Sequence, residues 1–287
     1  MPITVRCIDS ALGRWTQTEW RPAPDEPLAG VVERIWDFEG VLALGRERNF
    51  PNGMIELIVQ LDEPHRPVVD DVAGAPFPAV CMDGLQTTAH LIQAPAGGCR
   101  VLGVRLHPVG AFALLASPLD ALGGATLDLR DVVGRAAAEL GERCHDARRG
   151  AERVLIAARW TAERIVRGAR CVDPAIAWAA QRIAQHDGNV SIAAIEEAAN
   201  CARGRFTAAF RAHVGVSPKR FARVVRFRRA LALVNDGVAL PDVALAAGYY
   251  DQPHMNAEFR AHGGLSPGAF LRAVRYTHSV SLAEAAP

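Results

Sequence analysis

Two short stretches of this chain carry side chains that suit a surface of phosphates and base edges. One holds Arg203, Arg205, Thr207 and Arg211, and the other Gln252, His254, Asn256 and Arg260. Asn and Gln amides match adenine's N6/N7 edge, while a guanidinium suits guanine or a phosphate. Groups of this kind divide the work, cations holding phosphates and a few polar side chains reading bases. Other chemistries lack their residues. There is no HExxH and no Gly-rich loop ending in Lys, and Lys219 is the only lysine. Cys7, Cys81, Cys99, Cys144, Cys171 and Cys201 form no CxxC pair, so neither a metal site nor a cofactor is expected, and buried free thiols are the reading. A thiol sensor at Cys81 and Cys99 is the alternative. The chain is therefore not expected to be an enzyme.

The elements that position these side chains are duplicated. Phe210–Arg226 aligns with Phe259–Arg275 at an offset of 49, with eleven identities in seventeen positions, far beyond composition. Each copy begins with a short amphipathic helix, Ile192, Ile195, Ala198 and Ala199 in one and Leu240, Val243, Ala246 and Ala247 in the other. A turn follows at Asn200 or Gly248, residue types that tolerate a left-handed conformation. A second helix, Ala202–Arg211 or Asp251–Arg260, then runs to Phe210 or Phe259, whose rings should plug the space between the helices. Ser217-Pro218 and Ser266-Pro267 read as a capping Ser with Pro in the next first turn. This is the grammar of two helix-turn-helix units, joined by a long helix over Lys219–Val234.

These residues resemble the AraC/XylS family of bacterial transcription regulators. The segments that carry the resemblance are SIAAIEEAANCARGRFTAAFRAHVGVSPKRFARVVRFRRALALV and DVALAAGYYDQPHMNAEFRAHGGLSPGAFLRAVR, within about residues 174–276. Gly248-Tyr249-Tyr250-Asp251-Gln252 with His254 is the most specific piece. The resemblance implies that each second helix enters one major groove, the two lying about one helical turn, roughly 34 Å, apart. Some positions depart from the family's pattern. Glu196 stands where a small residue packs, Ala202 where a capping Ser is usual, Gly204 inside the helix, and Ala208 and Ala257 at groove-facing sites. The first unit is therefore expected to hold DNA chiefly by its backbone. Asn256→Ala should weaken selected sequences and Arg211→Ala all alike. Arg223, Arg226, Arg228 and Arg229 read as a solvated face of the connecting helix, and His213 and His262 as structural.

The front of the chain reads differently. Residues 28–115 alternate strand-like runs (Val31–Phe38, Met54–Leu61, Val101–Leu106) with Gly- and Pro-rich turns. Helical spacing takes over from about Pro118, in Leu129–Cys144 and Ala151–Val166. The fold class expected is α+β: a β-rich sensor-like domain with trailing helices over residues 1–170, then an all-α domain of two helix-turn-helix units over 174–287. VERIWDF, FPNGMIELIV, Gly84-Leu85-Gln86-Thr87 and GVRLHPVG resemble an uncharacterised domain family often joined to such a module. Trp36, Asn52, Glu56, Arg105 and His107 are the candidate ligand-binding residues, the plain alternatives being a core Trp36, a turn at Asn52-Gly53 and an Arg105–Glu56 ion pair.

Composition agrees with this division. Formal charge is −3 over residues 1–171 and +4 over the remainder, the asymmetry of a tethered DNA-binding unit. The N-terminus has no leader-like pattern and no apolar run reaches bilayer length, so a cytoplasmic regulator without membrane contact is expected. Double-stranded DNA and a small-molecule effector are its expected partners. RNA polymerase and a second copy of the chain, paired through the Leu155, Ala158, Ala162 and Ile165 stripe, are further candidates, although that stripe suits packing on its own domain equally well. Two other functions compete: a signal-binding protein with decayed DNA readout, and an enzyme with an accessory helical domain.

Overall fold

The computed structural model describes residues 3–43, 45–122, 124–167, 172–201, 203–273 and 281–284. Strands β1 (Thr4–Ser10), β2 (Gly13–Trp20), β3 (Val32–Leu42), β4 (Arg46–Asn49), β5 (Ile55–Gln60), β6 (Arg66–Val69), β7 (Val72–Ala73), β8 (Val80–Asp83), β9 (His90–Gln93) and β10 (Cys99–Leu106) come first. Helix α1 (Pro108–Leu115), strand β11 (Thr126–Asp128) and helices α2 (Arg130–Val133), α3 (Arg135–Asp146) and α4 (Gly150–Arg167) complete the front unit. Its strands make a seven-stranded sheet in the order β1-β2-β3-β10-β5-β8-β11 and a smaller sheet holding β4, β9, β6 and β7.

Period-two alternation decides what each face of the large sheet does. On β5, Ile55, Leu57 and Val59 are buried against the helices, while Glu56, Ile58 and Gln60 turn to the other side. On β10, Leu102, Val104 and Leu106 likewise join the helix-side core, and Val101 and Arg105 face away. Helix α4 covers that core with Val154, Ala157, Ala158 and Trp160. It also inserts Arg153, fully buried, whose Nε and Nη2 donate to the Asp37 carboxylate at 2.6 and 2.8 Å.

Three differences from the sequence reading have local causes. The β1–β2 hairpin precedes residue 28, and β1 is largely exposed, so it lacks the alternation that marks a half-buried strand. The helix expected over Leu129–Cys144 is two helices, broken where Gly134 adopts φ +62° and ψ −139°. Helix also begins earlier than Pro118, at Pro108, because Pro enters a first turn without losing a hydrogen bond.

The rear unit holds α5 (Pro174–Gln185), α6 (Ile192–Ala198), α7 (Arg203–Val214), α8 (Pro218–Asn235), α9 (Leu240–Ala246), α10 (Gln252–Gly263) and α11 (Pro267–Arg272). The expected turns are present: Asn200 has φ +51° and Gly248 φ +76°. Ser217 accepts from the Arg220 N–H and Ser266 from the Ala269 N–H, each with Pro in the first turn. Phe210 and Phe259 are enclosed between the helices. The expected boundary near 168–173 falls mostly outside the described residues, as do Ala202 and the Val274–Arg275 end of the repeat.

The two units share their cores. Phe206, Phe210 and Val214 of the first helix-turn-helix, with Ile176 of α5 and Phe221 of α8, belong to the same buried cluster as Leu57, Leu102 and Phe112 of the front unit. The second helix-turn-helix has its own cluster, centred on Phe227, Met255, Phe259 and Phe270, and Phe50 from the front unit is a member of it. Strand β12 (Ser281–Glu284) pairs antiparallel with β4, joining the smaller sheet as its edge. Among the described residues no helix is long and apolar enough to cross a membrane.

Candidate functional site

The repeat in sequence is also a repeat in burial. Phe206 and Met255, then Phe210 and Phe259, face inward at matching positions of α7 and α10. Arg205 and His254, Ala208 and Ala257, and Arg211 and Arg260 are exposed at matching positions between them. Spacing of three residues places each trio on one helix face. Each helix thus presents one outward stripe, with a cation or imidazole near its start, an alanine in the middle and an arginine near its end.

The other sequence-predicted interface residues stand differently. The Arg203 backbone opens α7, and its side chain lies outside the described residues. Thr207 is half-buried and donates its hydroxyl to Glu196 at 3.3 Å, so the acid that departs from the family's pattern has found a partner within the unit. Asn256, at the position matching Thr207, is half-buried with its Oδ1 enclosed and unpaired. Gln252 is half-buried in the first turn of α10, which Asp251 caps by accepting from the His254 N–H at 2.7 Å.

Both candidate interface helices end on the front unit through the repeated histidine. The His213 ring stacks on Phe112 at 3.9 Å between centroids, its Nδ1 donates to the Ala209 carbonyl and its Nε2 accepts from the Asp173 N–H. His262 Nδ1 donates to the Thr87 carbonyl at 2.6 Å, and its own carbonyl accepts from the Ala89 N–H at 2.6 Å. The arginines of α8 are tethers too, which corrects the expectation of a solvated face. Arg223 grips Glu258 with two bonds of 2.9 and 2.8 Å. Arg226 donates to the Gly188 carbonyl and lies over the Tyr249 ring, Arg228 donates to the Asn52 carbonyl, and Arg229 sits 3.6 Å from Asp187. The reason is tertiary: α8 runs between α5, α7, α9, α10 and the front unit, leaving little of its surface to solvent.

Between the two sheets lies a cavity of about 250 Å³. Trp36, Asn52, Glu56 and Arg105 all line it, as do Arg34, Asp83 and His90, which sequence reasoning missed. The polar groups stand on one rung of the large sheet, because Arg34, Arg105, Glu56, Asp83 and Thr126 are successive cross-strand partners on β3, β10, β5, β8 and β11. Arg105 donates through Nε to Glu56 at 2.6 Å, Trp36 Nε1 donates to Glu56 at 3.3 Å and Asn52 Nδ2 at 3.5 Å. Thr126 donates its hydroxyl to Asp83. Burial pushes the Asp83 carboxyl up, with Thr126 and His90 opposing, and pushes the His90 imidazole down. The next rungs carry the apolar body of the wall, Trp36 beside Gly103 and Ile58, then Phe38 beside Val101. Polar or aromatic residues such as Arg34, Trp36, Glu56, Gln60 and Arg105, alternating with the buried Ile35, Ile55, Leu57, Val104 and Leu106, signalled this face. Asp83 and His90 lie on strands too short to show such a period.

His107 is the sequence-predicted cavity residue that does not line it. A shift in strand register between Arg105 and Leu106 ends the alternation, and His107 stands instead at the start of α1 near Glu33 and Arg228. Cys81 and Cys99 line the cavity but are buried. Burial raises both thiols, Cys99 to about 12, which is opposite to the low pKa of a reactive sensor. Among the described residues no three His, Cys, Asp or Glu converge as metal ligands.

Comparison with known proteins matches residues 195–273 to a helix-turn-helix domain family and residues 21–128 to a domain of unknown function, DUF6597. No curated protein matches the chain. Similar solved structures include the C-terminal domain of AraT, a response regulator from Geobacillus stearothermophilus, at 18% identity and TM-score 0.35 over 38% of this chain and 94% of that one. ToxT from Vibrio cholerae aligns at 11% identity and TM-score 0.42 over 79% and 96%, and its form bound to unsaturated fatty acid at 13% and 0.44 over 84% and 94%. The chain thus carries a helix-turn-helix domain over residues 195–273 behind a DUF6597 domain over residues 21–128.

Proposed function

We propose that the protein binds specific DNA sequences through α7 and α10, that a small molecule in the front cavity controls this binding, and that it is not an enzyme. The observation that carries the reading is the double placement of one segment. Phe50, Pro51 and Asn52 line the cavity, and Phe50 is at the same time a core residue of the second helix-turn-helix, its ring 5.7 Å from Phe270 and 6.3 Å from Phe227. A guest that moves this segment must also move the packing beneath α10, since close-packed cores transmit displacement.

On the DNA side, Arg205, Arg211 and Arg260 supply phosphate contacts, while His254 and Gln252 supply base reading. With Ala208 at the centre of the first stripe and Thr207 tied to Glu196, α7 holds the backbone more than it reads sequence. The test is a duplex titration with the full-length chain across a salt series. Arg211→Ala and Arg260→Ala are each expected to weaken all duplexes alike and to lower the salt slope by about one, whereas His254→Ala should weaken selected sequences. Unchanged affinity and slope in both arginine variants would show that these stripes do not face DNA.

A further inference from the structure

We propose that the cavity between the sheets takes a small apolar or aromatic monocation, such as a primary amine, with the charged end at Asp83 and the body along Trp36 and Phe38. This rests on the ligand-controlled reading above and names the class of that ligand. The argument is an inventory of the polar rung. Arg105, Trp36 and Asn52 all donate to Glu56, and Gln86 Nε2 donates to the Gly124 carbonyl. Arg34 is drawn to the far side, by Glu19 at 3.1 Å and Glu33 at 3.5 Å. Apart from Arg34 Nε, which is enclosed beside Glu33 without a hydrogen-bond partner, these donors are already committed to protein acceptors.

Acceptors remain. Asp83 stands directly across from Glu56, a like-charge pair that is unfavourable on its own. Arg105 neutralises Glu56, but the one hydrogen bond that Asp83 accepts among the described residues comes from the neutral Thr126 hydroxyl. The imidazole facing it, His90, has an enclosed Nδ1 without a hydrogen-bond partner, and burial opposes its becoming a cation. An ammonium group at this place would pair with Asp83, share the field of Glu56 and donate to His90 Nδ1. Trp15, Trp36 and Phe38 offer the aromatic surface that favours a cation over a neutral guest. A carboxylate guest would instead face two acids with the nearby guanidiniums already paired. The volume, just below the usual range of ligand sites, suits a single-ring compound.

The experiment measures binding of 2-phenylethylamine, 3-phenylpropionate and 2-phenylethanol to the full-length protein by calorimetry, and repeats the duplex titration in the presence of each. The amine is expected to bind at least about tenfold more tightly than the isosteric anion. Asp83→Asn should lose roughly that factor for the amine and leave the alcohol nearly unchanged. The wild-type comparison stands even if the variant folds poorly. An anion that binds as tightly as the amine, or no amine binding at millimolar concentration, overturns the proposal. Amine binding with no change in duplex affinity would support the ligand class and remove ligand control from the function above. Anion binding that shifts duplex affinity would do the reverse.

Discussion

Gly103 shows how one residue sets the shape of the cavity. A Cβ there would fall 2.2 Å from the Trp36 indole, so the ring can lie across the sheet and reach Glu56 only because β10 has no side chain at that rung. Gly103→Ala is expected to displace the indole, lower stability by about 1–3 kcal/mol as overpacking does, and shift the tryptophan emission. His65 makes a second point. It is buried, its Nδ1 donates to Gln60 at 3.0 Å, and burial pulls its pKa down to about 4. In the unfolded chain the same imidazole titrates near 6.5, so between those values the unfolded state binds more protons. The stability this histidine contributes is complete above pH 6.5 and is lost as pH falls toward 4, on the order of 3 kcal/mol in all. Urea midpoints at pH 7.5 and 4.5 should therefore differ less in His65→Gln than in the native chain.

At the scale of elements, α4 is held to the sheet by more than apolar packing. Arg153 is fully buried, bonded twice to Asp37 and once to Glu39 at 2.7 Å. Removing one partner of such a pair strands the other charge in a dry place. Arg153→Ala is expected to cost about 3–5 kcal/mol, whereas Arg153→Met with Asp37→Leu should recover most of the loss. Chemical denaturation of the two variants distinguishes an ion pair required for stability from one that is only tolerated. The stripe offered for pairing two chains follows its alternative reading, with Ala158, Ala162 and Ile165 packed on the core of their own unit. Ala158 packs on the front unit while Leu155 remains 45% exposed, so the residues of that stripe do not share one environment.

The whole molecule behaves as two units with interlocked cores. Phe50 fills the second helix-turn-helix, the first helix-turn-helix shares its cluster with the sheet, and β12 returns to β4. A fragment of residues 174–287 would expose Phe227 and Phe270 where Phe50 belongs and leave β12 without its partner strand. It is expected to unfold at a lower temperature than the same residues within the full chain. Equal thermal midpoints would show that the shared cores add nothing. Phe50→Ala should lower stability by about 3–5 kcal/mol and weaken duplex binding although residue 50 touches no candidate DNA contact, a coupling that duplex titration at fixed salt would register.

The repeat, the turns at Asn200 and Gly248, the Ser-Pro helix starts and the alternation of β5 and β10 were legible in sequence, because each depends on residues a few positions apart. Local conformational preference and hydrophobic period carry that information. Side-chain partnership does not. Asp83 faces Glu56 across strands 27 residues apart, Arg153 finds Asp37 from 116 residues away, and Arg228 reaches Asn52 across 176. His107, two residues from Arg105, would share its face in a continuous strand and was diverted by one register shift. Sequence alone singled out the two repeated helices whose outward stripes are proposed to face DNA. Only the tertiary structure decided which polar groups are spent on the protein itself and which are left open to a guest, since that depends on what the folded chain brings alongside them.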